Sequence, residues 1–357
     1  MNSNNSVSAS FKTNPTINLD HIIPLDFKTV PKLPESHSWS TTTTSTHVEV
    51  DEGVPVVDLA DPEAVTLIRG ACEEWGMFQV TNHGVPVKLL KQIEFQTKRL
   101  FGLPKNQKLL AVRSPEECTG YGLPRISTFF SKLFWSEGFS IMGSPLHHAR
   151  QLWPNHHFDF CNVMVEYQKE LMGLTERILG LMFTSLDLTQ EDVKCFSKHP
   201  QALLQLNSYP ICPDPTRAMG LAPHTDSSLL TLLYQTNISG LQVFKENVGW
   251  VLVNPISGAF VVNVGDLMHI ICNGRFKTAL HRAVVNQTHH RISIAYFYGP
   301  TKEVNISPSI KLVDRDHPIL YRPVTWKEYL DSKATHFNKA LDFIRFDLKP
   351  QSWSAAN

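Results

Sequence analysis

The spacing of apolar and polar positions changes near residue 203 of this 357-residue chain. Before that point, apolar residues recur every three or four positions over residues 62–75, 88–101 and 160–186, which predicts amphipathic helices. After it, short apolar runs separated by Gly, Pro and Asn predict strands and turns. Eight runs fit that pattern: Leu203–Tyr209, Leu229–Tyr234, Leu241–Phe244, Trp250–Val253, Phe260–Val264, Met268–Cys272, Ala283–Asn286 and Ile292–Tyr298. A last helical pattern covers residues 325–345.

Short strands at this spacing predict a jelly-roll, or double-stranded β-helix, barrel with a ligand cavity. Two more strands, at residues 54–59 and 76–80, lie among the early helices. We therefore expect an α+β, mainly β, fold with helices flanking the barrel core and a helical N-terminal region. The expected division is a mixed helix and strand region at 51–200, the barrel at 201–302, and a C-terminal strand and helix packing on the barrel at 303–357.

The first 50 residues differ from the rest in composition. They are rich in Ser, Thr, Asn and Pro and approach their end with Thr-Thr-Thr-Thr-Ser-Thr at residues 41–46. Such a stretch has too little apolar surface to offset the entropy of ordering it. Residues 1–50 are therefore predicted to be disordered.

Charge and cysteine usage narrow the class of protein. Lys and Arg total 33, Asp and Glu total 33, and no basic block occurs, which argues against nucleic acid or an anionic membrane as a partner. The six cysteines lack any Cys-x-x-Cys spacing and are predicted to be reduced thiols. With no secretory leader pattern and no apolar run of membrane-spanning length, the prediction is a cytoplasmic protein without an obligate protein partner.

Candidate chemistry centres on His224, Asp226 and His281. Two imidazoles and one carboxylate can bind a divalent iron on one face and leave the opposite positions open. His224 and Asp226 are two apart, so they share a face if that segment is extended. The chain has 16 histidines, so a lone His-x-Asp arises easily by chance. The adjacent pair His289-His290 is a poorer ligand set, because neighbouring strand residues point to opposite faces.

Arg291 and Ser293 follow the second histidine and share one face of a predicted strand. A guanidinium and a hydroxyl on one face can clamp a small dianionic acid. An iron site beside a carboxylate anchor indicates an oxygenase that uses a 2-oxo acid as its electron donor.

Zinc is the competing metal, since two histidines and a carboxylate also form catalytic zinc sites. The chain lacks a His-Glu-x-x-His motif, and no Glu falls near the three ligands to act as a hydrolytic base. The Arg-x-Ser element also has no function in a zinc hydrolase. Iron is the better prediction.

Longer strings resemble the plant 2-oxoglutarate/iron(II)-dependent dioxygenases. They include Asn207-Ser208-Tyr209-Pro210, His224-Thr225-Asp226, Val264-Gly265-Asp266, Ala279-Leu280-His281-Arg282 and Arg291-Ile292-Ser293. Other strings resemble the gibberellin 3-beta-dioxygenase branch, and the resemblance covers residues 50–345. These are Gly120-Tyr121-Gly122, Phe134-Trp135-Ser136-Glu137-Gly138-Phe139, Leu152-Trp153-Pro154 and Thr325-Trp326-Lys327-Glu328-Tyr329-Leu330.

The resemblance implies hydroxylation of a gibberellin at C3 (the 3-beta position), which converts inactive precursors into active hormone. It implies Fe(II) held by His224, Asp226 and His281, with O2 and 2-oxoglutarate as cosubstrates and ascorbate as the reductant in vitro. Arg291 and Ser293 would bind the distal carboxylate of 2-oxoglutarate, and Tyr209 would add a hydroxyl. The pocket candidates are Tyr121, Arg125, Trp135, Phe139 and Phe337. Asp266 is predicted to be a turn residue, and the alternative is a residue that supports the metal ligands.

Two positions depart from the branch pattern. Pro223 replaces a small residue and is expected to stiffen the strand before His224 and to shift this first ligand, and Ser208 replaces a bulkier one. Neither removes a ligand. The alternatives left open are a gibberellin 2-beta-hydroxylase, another plant hormone or flavonoid oxygenase, and a barrel that binds without turnover, because specificity depends on the pocket.

Overall fold

The computed structural model describes residues 21–40, 53–115, 117–197 and 200–346. The helices of this part are α1 (Ala64–Glu74), α2 (Val87–Gly102), α3 (Lys105–Lys108), α4 (Leu146–Leu152), α5 (Phe158–Thr184), α6 (Gln190–Ser197), α7 (Asp266–Ile271) and α8 (Trp326–His336). Its strands are β1 (Val56–Asp58), β2 (Met77–Thr81), β3 (Gly120–Gly122), β4 (Glu137–Ile141), β5 (Gln201–Tyr209), β6 (Leu221–His224), β7 (Leu230–Gln235), β8 (Leu241–Lys245), β9 (Gly249–Leu252), β10 (Phe260–Val264), β11 (His281–Ala283), β12 (Arg291–Gly299), β13 (Asn305–Ile306) and β14 (Val324–Thr325).

Two sheets form the barrel. The larger has eight strands in the order β1-β2-β10-β7-β12-β5-β4-β3, and the smaller has four in the order β6-β11-β8-β9. Side chains from both sheets line one cavity. This arrangement is the predicted jelly-roll core with flanking helices.

Alternation along β12 separates two environments. Ile292, Ile294, Tyr296 and Tyr298 belong to the main apolar core together with the helices, whereas Ala295 packs in a second apolar cluster. Since successive strand residues point to opposite faces, the odd-numbered positions of β12 face the barrel interior. One face of the sheet therefore packs against the helices, and the other faces the barrel cavity.

The helical layer covers the structural face. In α5, buried apolar residues recur at helical spacing, including Phe160, Met164, Leu171 and Ile178. This stripe packs among side chains of β5, β7 and β12 in the same core. Burying an apolar stripe of this kind supplies most of the stability of a helix in a globular protein. In the described part of the chain, no helix is both long and apolar enough to cross a membrane.

The predicted strand Met268–Cys272 is wrong. Residues 266–271 form α7, which begins after Gly265 with Asp266 in its first turn. Leu267, Met268, Ile270 and Ile271 are all buried, so apolar residues lie on nearly every side of the segment. A short, continuous apolar run does not distinguish a buried strand from a buried helix by periodicity.

Several strands were missing from the prediction. β3, β4 and β6 are short, and they contain Gly or Pro, which are usually depleted in strands. The predicted strand Ala283–Asn286 is displaced, because pairing occurs at His281–Ala283. Strands from residues before 200 also join the larger sheet, so the predicted domain boundaries stay predictions.

The predicted disorder of residues 1–50 is wrong for residues 21–40. Phe27 and His37 pack edge-on against the ring of Trp135, and Trp39 stacks on Phe134. These aromatic groups supply the apolar surface that the average composition of the segment conceals. Residues 1–20 and 41–50 lie outside the described residues.

Candidate active site

The three candidate metal ligands converge where β6 ends and β11 begins. His224 and His281 are cross-strand partners, with ring centroids 4.3 Å apart. The Oδ1 atom of Asp226 lies 3.7 Å from Nε2 of His224 and 3.9 Å from Nε2 of His281. All three side chains are buried. Among the described residues, this is the one group of three such donors close enough to hold a metal ion.

Backbone carbonyls orient both imidazoles. Nδ1 of His224 lies 2.9 Å from the carbonyl oxygen of Ala222, and Nδ1 of His281 lies 2.8 Å from that of Ala279. A carbonyl only accepts, so each Nδ1 carries the proton and donates it. The lone pair of each Nε2 therefore points toward Asp226 and is available to a metal.

Electrostatics favour the metal-binding protonation states. Burial, and next the neighbouring His281, lower the pKa of His224 to about 3, so its ring is neutral near pH 7. Burial alone would raise the pKa of Asp226, but the two histidines outweigh it and hold that pKa below its ordinary value. Nδ2 of Asn263 also donates to the carboxylate at 3.3 Å. His224 thus presents a neutral nitrogen to the site, and Asp226 presents an anionic oxygen.

This donor set fits ferrous iron. Ligands about 2.0–2.2 Å from one cation lie at most about 4.4 Å apart, and both measured nitrogen–oxygen separations are shorter than that. Three protein donors on one side leave other coordination positions to small molecules.

A second polar cluster lies on the interior face of β5 and β12. Arg291 pairs with Tyr209 and Ser293 pairs with Asn207 across these antiparallel strands, so the four side chains share one face. All four line the same cavity as the metal ligands. Asn207 donates to the hydroxyl of Ser293 at 3.4 Å.

Arg291 is anchored but keeps a cationic surface toward the cavity. Its Nη2 donates to Oε1 of Gln235 at 2.9 Å, its Nε donates to the carbonyl of Ile238 at 3.2 Å, and its guanidinium lies 5.0 Å from the ring centroid of Tyr209. Burial lowers the pKa of Arg291, yet the ordinary value is so high that the group stays charged. A buried cation without an acidic partner among these contacts matches an anionic ligand.

Two glycines make room for this cluster. A Cβ atom at Gly240 would lie 2.7 Å from Cδ of Arg291, and one at Gly220 would lie 2.8 Å from Cδ1 of Tyr209. Both separations are shorter than van der Waals contact. The missing side chains therefore allow the arginine and tyrosine to lie against the loops.

The two departures from the family pattern have local explanations. Pro223 lies in β6, an edge strand, where the register against β11 shifts between His281 and Ala283. A proline at an irregular edge position loses no ladder bond, so the predicted shift of His224 does not follow. Ser208 points away from the cavity, and its hydroxyl contacts Nε2 of His290 at 2.8 Å.

Asp266 is not merely a turn residue. Its Oδ2 accepts bonds from the hydroxyl of Tyr329 at 2.7 Å, from Nζ of Lys333 at 2.6 Å and from the hydroxyl of Thr225 at 3.3 Å. Its backbone N–H donates to the carbonyl of Asp226 at 2.7 Å. The segment between the first two metal ligands is thus tied to α7 and α8, and the contacts favour the alternative reading of Asp266 as a support for the metal ligands.

The cavity has a volume of about 300 Å3 and extends from Arg291 past the metal ligands. Its outer wall comes from three separate segments of the chain: the 3-10 helix Arg125–Phe129 and its flanks, the loop after β12, and α8. The ring of Phe337, which lines it, stacks on Phe129 at 4.7 Å. Phe337 adopts a φ of 50°, a conformation that side chains rarely adopt and that often marks functional sites.

Of the five pocket candidates, Arg125 and Phe337 line this cavity, whereas Tyr121, Trp135 and Phe139 do not. Tyr121 and Phe139 are in the main core, and the hydroxyl of Tyr121 donates to Glu137. Trp135 is fully buried under residues 21–40 and donates from its indole to the carbonyl of Pro210. The prediction for these three fails because aromatic type alone does not separate core from pocket.

Two known protein families match separate parts of the chain. The 2OG-Fe(II) oxygenase superfamily matches residues 200–300, and the family described as the N-terminal region of non-haem dioxygenases in morphine synthesis matches residues 54–159. Gibberellin 3-beta-dioxygenase 3 of Arabidopsis thaliana is 53% identical, over 95% of this chain and 99% of that protein. Gibberellin 3-beta-dioxygenase 1 of Pisum sativum is 49% identical, over 95% and 94%. The chain belongs to the 2OG-Fe(II) oxygenase superfamily.

Solved structures of other oxygenases agree with this assignment. JOX2, in complex with 2OG, Fe and JA, superposes with a TM-score of 0.75 and 33% identity, over 84% of this chain and 89% of that one. The dioxygenase for auxin oxidation in rice superposes with a TM-score of 0.69 and 26% identity, over 82% of this chain and 100% of that one. The fold, the enzyme class and the dependence on iron and 2-oxoglutarate are those of this superfamily.

We expect His281→Ala to abolish iron binding and turnover, because two ligands hold the metal poorly. His289→Ala is the matched control, since His289 is exposed and contacts only its own loop. The measurement is the iron retained per chain after desalting, determined by absorption spectrometry for both variants. Iron lost from the 289 variant but kept by the 281 variant would overturn the ligand assignment.

We expect Arg291→Lys to raise the KM for 2-oxoglutarate about tenfold to more than a hundredfold, while iron binding is preserved. Lysine keeps the charge but lacks the rigid fork that binds a carboxylate at two points. Titration of 2-oxoglutarate at saturating iron measures the change. An unchanged KM would exclude Arg291 from the cosubstrate site.

We expect Asp266→Asn to weaken iron binding by about tenfold, since partners that orient a ligand segment tune metal affinity. The matched control is Asp331→Asn on α8, where the carboxylate is half-exposed and pairs with Lys327. Competition with a chelator measures the affinity. Equal iron affinities for the two variants would show that Asp266 does not influence metal binding.

Proposed function

We propose that this enzyme hydroxylates gibberellins at C3, in the 3-beta position, and so converts inactive precursors into active hormone. Gibberellin 3-beta-dioxygenases that cover nearly the whole chain at about half identity support this substrate. The observation that carries the proposal is the coincidence of that similarity with an intact His-Asp-His cluster and Arg-x-Ser pair in one cavity.

The proposed roles of the residues follow from their chemistry. His224, Asp226 and His281 would hold Fe(II), which with 2-oxoglutarate and O2 supplies the oxidising power for C–H hydroxylation. Arg291, Ser293 and Tyr209 would bind the distal carboxylate of 2-oxoglutarate. The cosubstrate would therefore point its other end along the interior of the barrel toward the metal ligands.

The remaining part of the cavity suits a rigid apolar molecule. Its apolar wall includes Ile126, Phe129, Trp326, Leu330 and Phe337. Such a wall excludes water from the reacting carbon and fixes a ring system by shape. Gibberellins are fused-ring diterpenoids, so their size and polarity agree with this wall.

We further propose that the enzyme acts in the cytoplasm. The cysteines Cys72, Cys118, Cys161, Cys212 and Cys272 are free thiols, as expected for a reducing compartment. Expression of a fluorescent fusion in plant cells tests this proposal, and a signal confined to a secretory or organellar compartment would contradict it.

The proposed reaction predicts a defined product. The purified enzyme, given a labelled 3-deoxy gibberellin, Fe(II), 2-oxoglutarate and ascorbate, should form the 3-beta-hydroxylated gibberellin and an equal amount of succinate. Mass spectrometry identifies the position of the hydroxyl group. Omission of iron or of 2-oxoglutarate should stop both products. Hydroxylation at C2 instead would identify a 2-beta-hydroxylase, and turnover without iron and oxo acid would exclude an oxygenase.

A further inference from the structure

The cavity has a second cationic end, distant from Arg291. Lys302 lies three residues beyond β12, and Arg125 begins the 3-10 helix Arg125–Phe129; both line the cavity. β12 spans Arg291–Gly299 at about 3.3 Å per residue, so Arg291 and Lys302 belong to opposite ends of a strand about 26 Å long. A single carboxylate cannot contact both ends.

Both outer cations lie in the wall of the cavity, close enough for their charges to interact. Lys302 is only 6% exposed. Burial lowers the pKa of Lys302; Cys118 and Glu303 oppose this shift, and the positive charges of Arg125 and Lys327 add to it. Burial also lowers the pKa of Arg125. Cations in a partly dehydrated cavity wall match an anionic ligand.

A hydrogen bond holds each of the two residues. Arg125 Nη2 donates to the carbonyl of Glu117, and the carbonyl of Lys302 accepts from the N–H of Lys327, at the start of α8, at 2.9 Å. Both cations therefore project from anchored segments and not from loosely held surface positions. An anchored charge loses less conformational entropy when it binds a ligand.

Apolar side chains line the cavity beside the segments that carry the outer cations. Phe129 ends the 3-10 helix that Arg125 begins, Trp326 is the first residue of α8, which anchors Lys302, and Phe337 directly follows α8. An apolar wall that ends in paired cations complements a rigid carbon skeleton with a carboxylate at one side. Gibberellins have that chemistry, since they are diterpenoid carboxylic acids, and the inference therefore rests on the proposed function.

We propose that Arg125 and Lys302 bind the carboxylate of the gibberellin substrate and thereby determine which ring carbon faces the metal ligands. The cavity then has two anion sites with different ligands: Arg291 takes the carboxylate of the cosubstrate, and the outer pair takes that of the substrate. Regiospecificity follows from the fixed distance between the outer pair and the metal ligands.

The test compares a gibberellin acid with its methyl ester, which removes the negative charge and keeps the ring system. Binding is measured by equilibrium dialysis with Fe(II) and 2-oxoglutarate in the absence of O2, so that no turnover is required. The wild-type enzyme should bind the acid about ten- to a hundredfold more tightly than the ester. Lys302→Met and Arg125→Met should each lose most of that preference, through weaker binding of the acid alone.

The matched control is Lys327→Met, because Lys327 is half-exposed and pairs with Asp331 outside the cavity lining. This variant should keep the full preference for the acid. All variants should bind 2-oxoglutarate like the wild-type enzyme, which also verifies that they are folded. In the presence of O2, the Arg125 and Lys302 variants should yield a mixture of hydroxylated positions.

Two failures are distinguishable. If the wild-type enzyme binds no gibberellin, the proposed function fails and this inference fails with it. If the wild-type enzyme binds and hydroxylates gibberellin but does not discriminate acid from ester, or if both variants retain the discrimination, only the assignment of the outer pair is overturned.

Discussion

The cross-strand pairing of His224 with His281 is the constraint on which the site depends. It places two imidazoles side by side at the end of a short, irregular ladder, and Asp226 reaches them from the loop that follows β6. β11 has only three residues and β6 only four, so their pairing is too short to hold this geometry alone. The carbonyls of Ala222 and Ala279 set the ring orientations, and Asp266 fixes the loop from α7. The metal site is therefore a product of backbone pairing and one buried carboxylate.

The larger sheet places the candidate anion site inside the hydrophobic interior of the protein. Alternation along β12 sends Ile292 and Ile294 to the helical core and Arg291 and Ser293 to the cavity. The apolar half of the strand stabilises the sheet, and this stability offsets the desolvation of the guanidinium. A shift of one residue would reverse both faces. The long pairing of β12 with β5 and β7 prevents such a shift.

The sequence predicts the candidate ligands and the candidate carboxylate anchor, because each has a recognisable residue type in a short motif. His-x-Asp, the second histidine and Arg-x-Ser each follow from residue type, spacing and strand alternation. The bonds from Tyr329 and Lys333 to Asp266 join segments more than 60 residues apart, and no local pattern contains them. The same limit explains the incorrect strand at residues 268–272, since a segment buried on all sides has no periodicity to read.

The aromatic residues show a further limit. Tyr121 was predicted to line the pocket, yet its hydroxyl binds Glu137, which also pairs with Lys108 in the interior. Glu137 in turn accepts from Ser208, the neighbour of Tyr209 on β5. A buried ion pair costs desolvation free energy, so stability alone does not explain it. The pair lies directly behind the anion-binding face, and we interpret it as a support for that face. Residues that resemble a family's pocket strings can thus support the binding strand from its far side, and contact with the cavity must be established separately for each one.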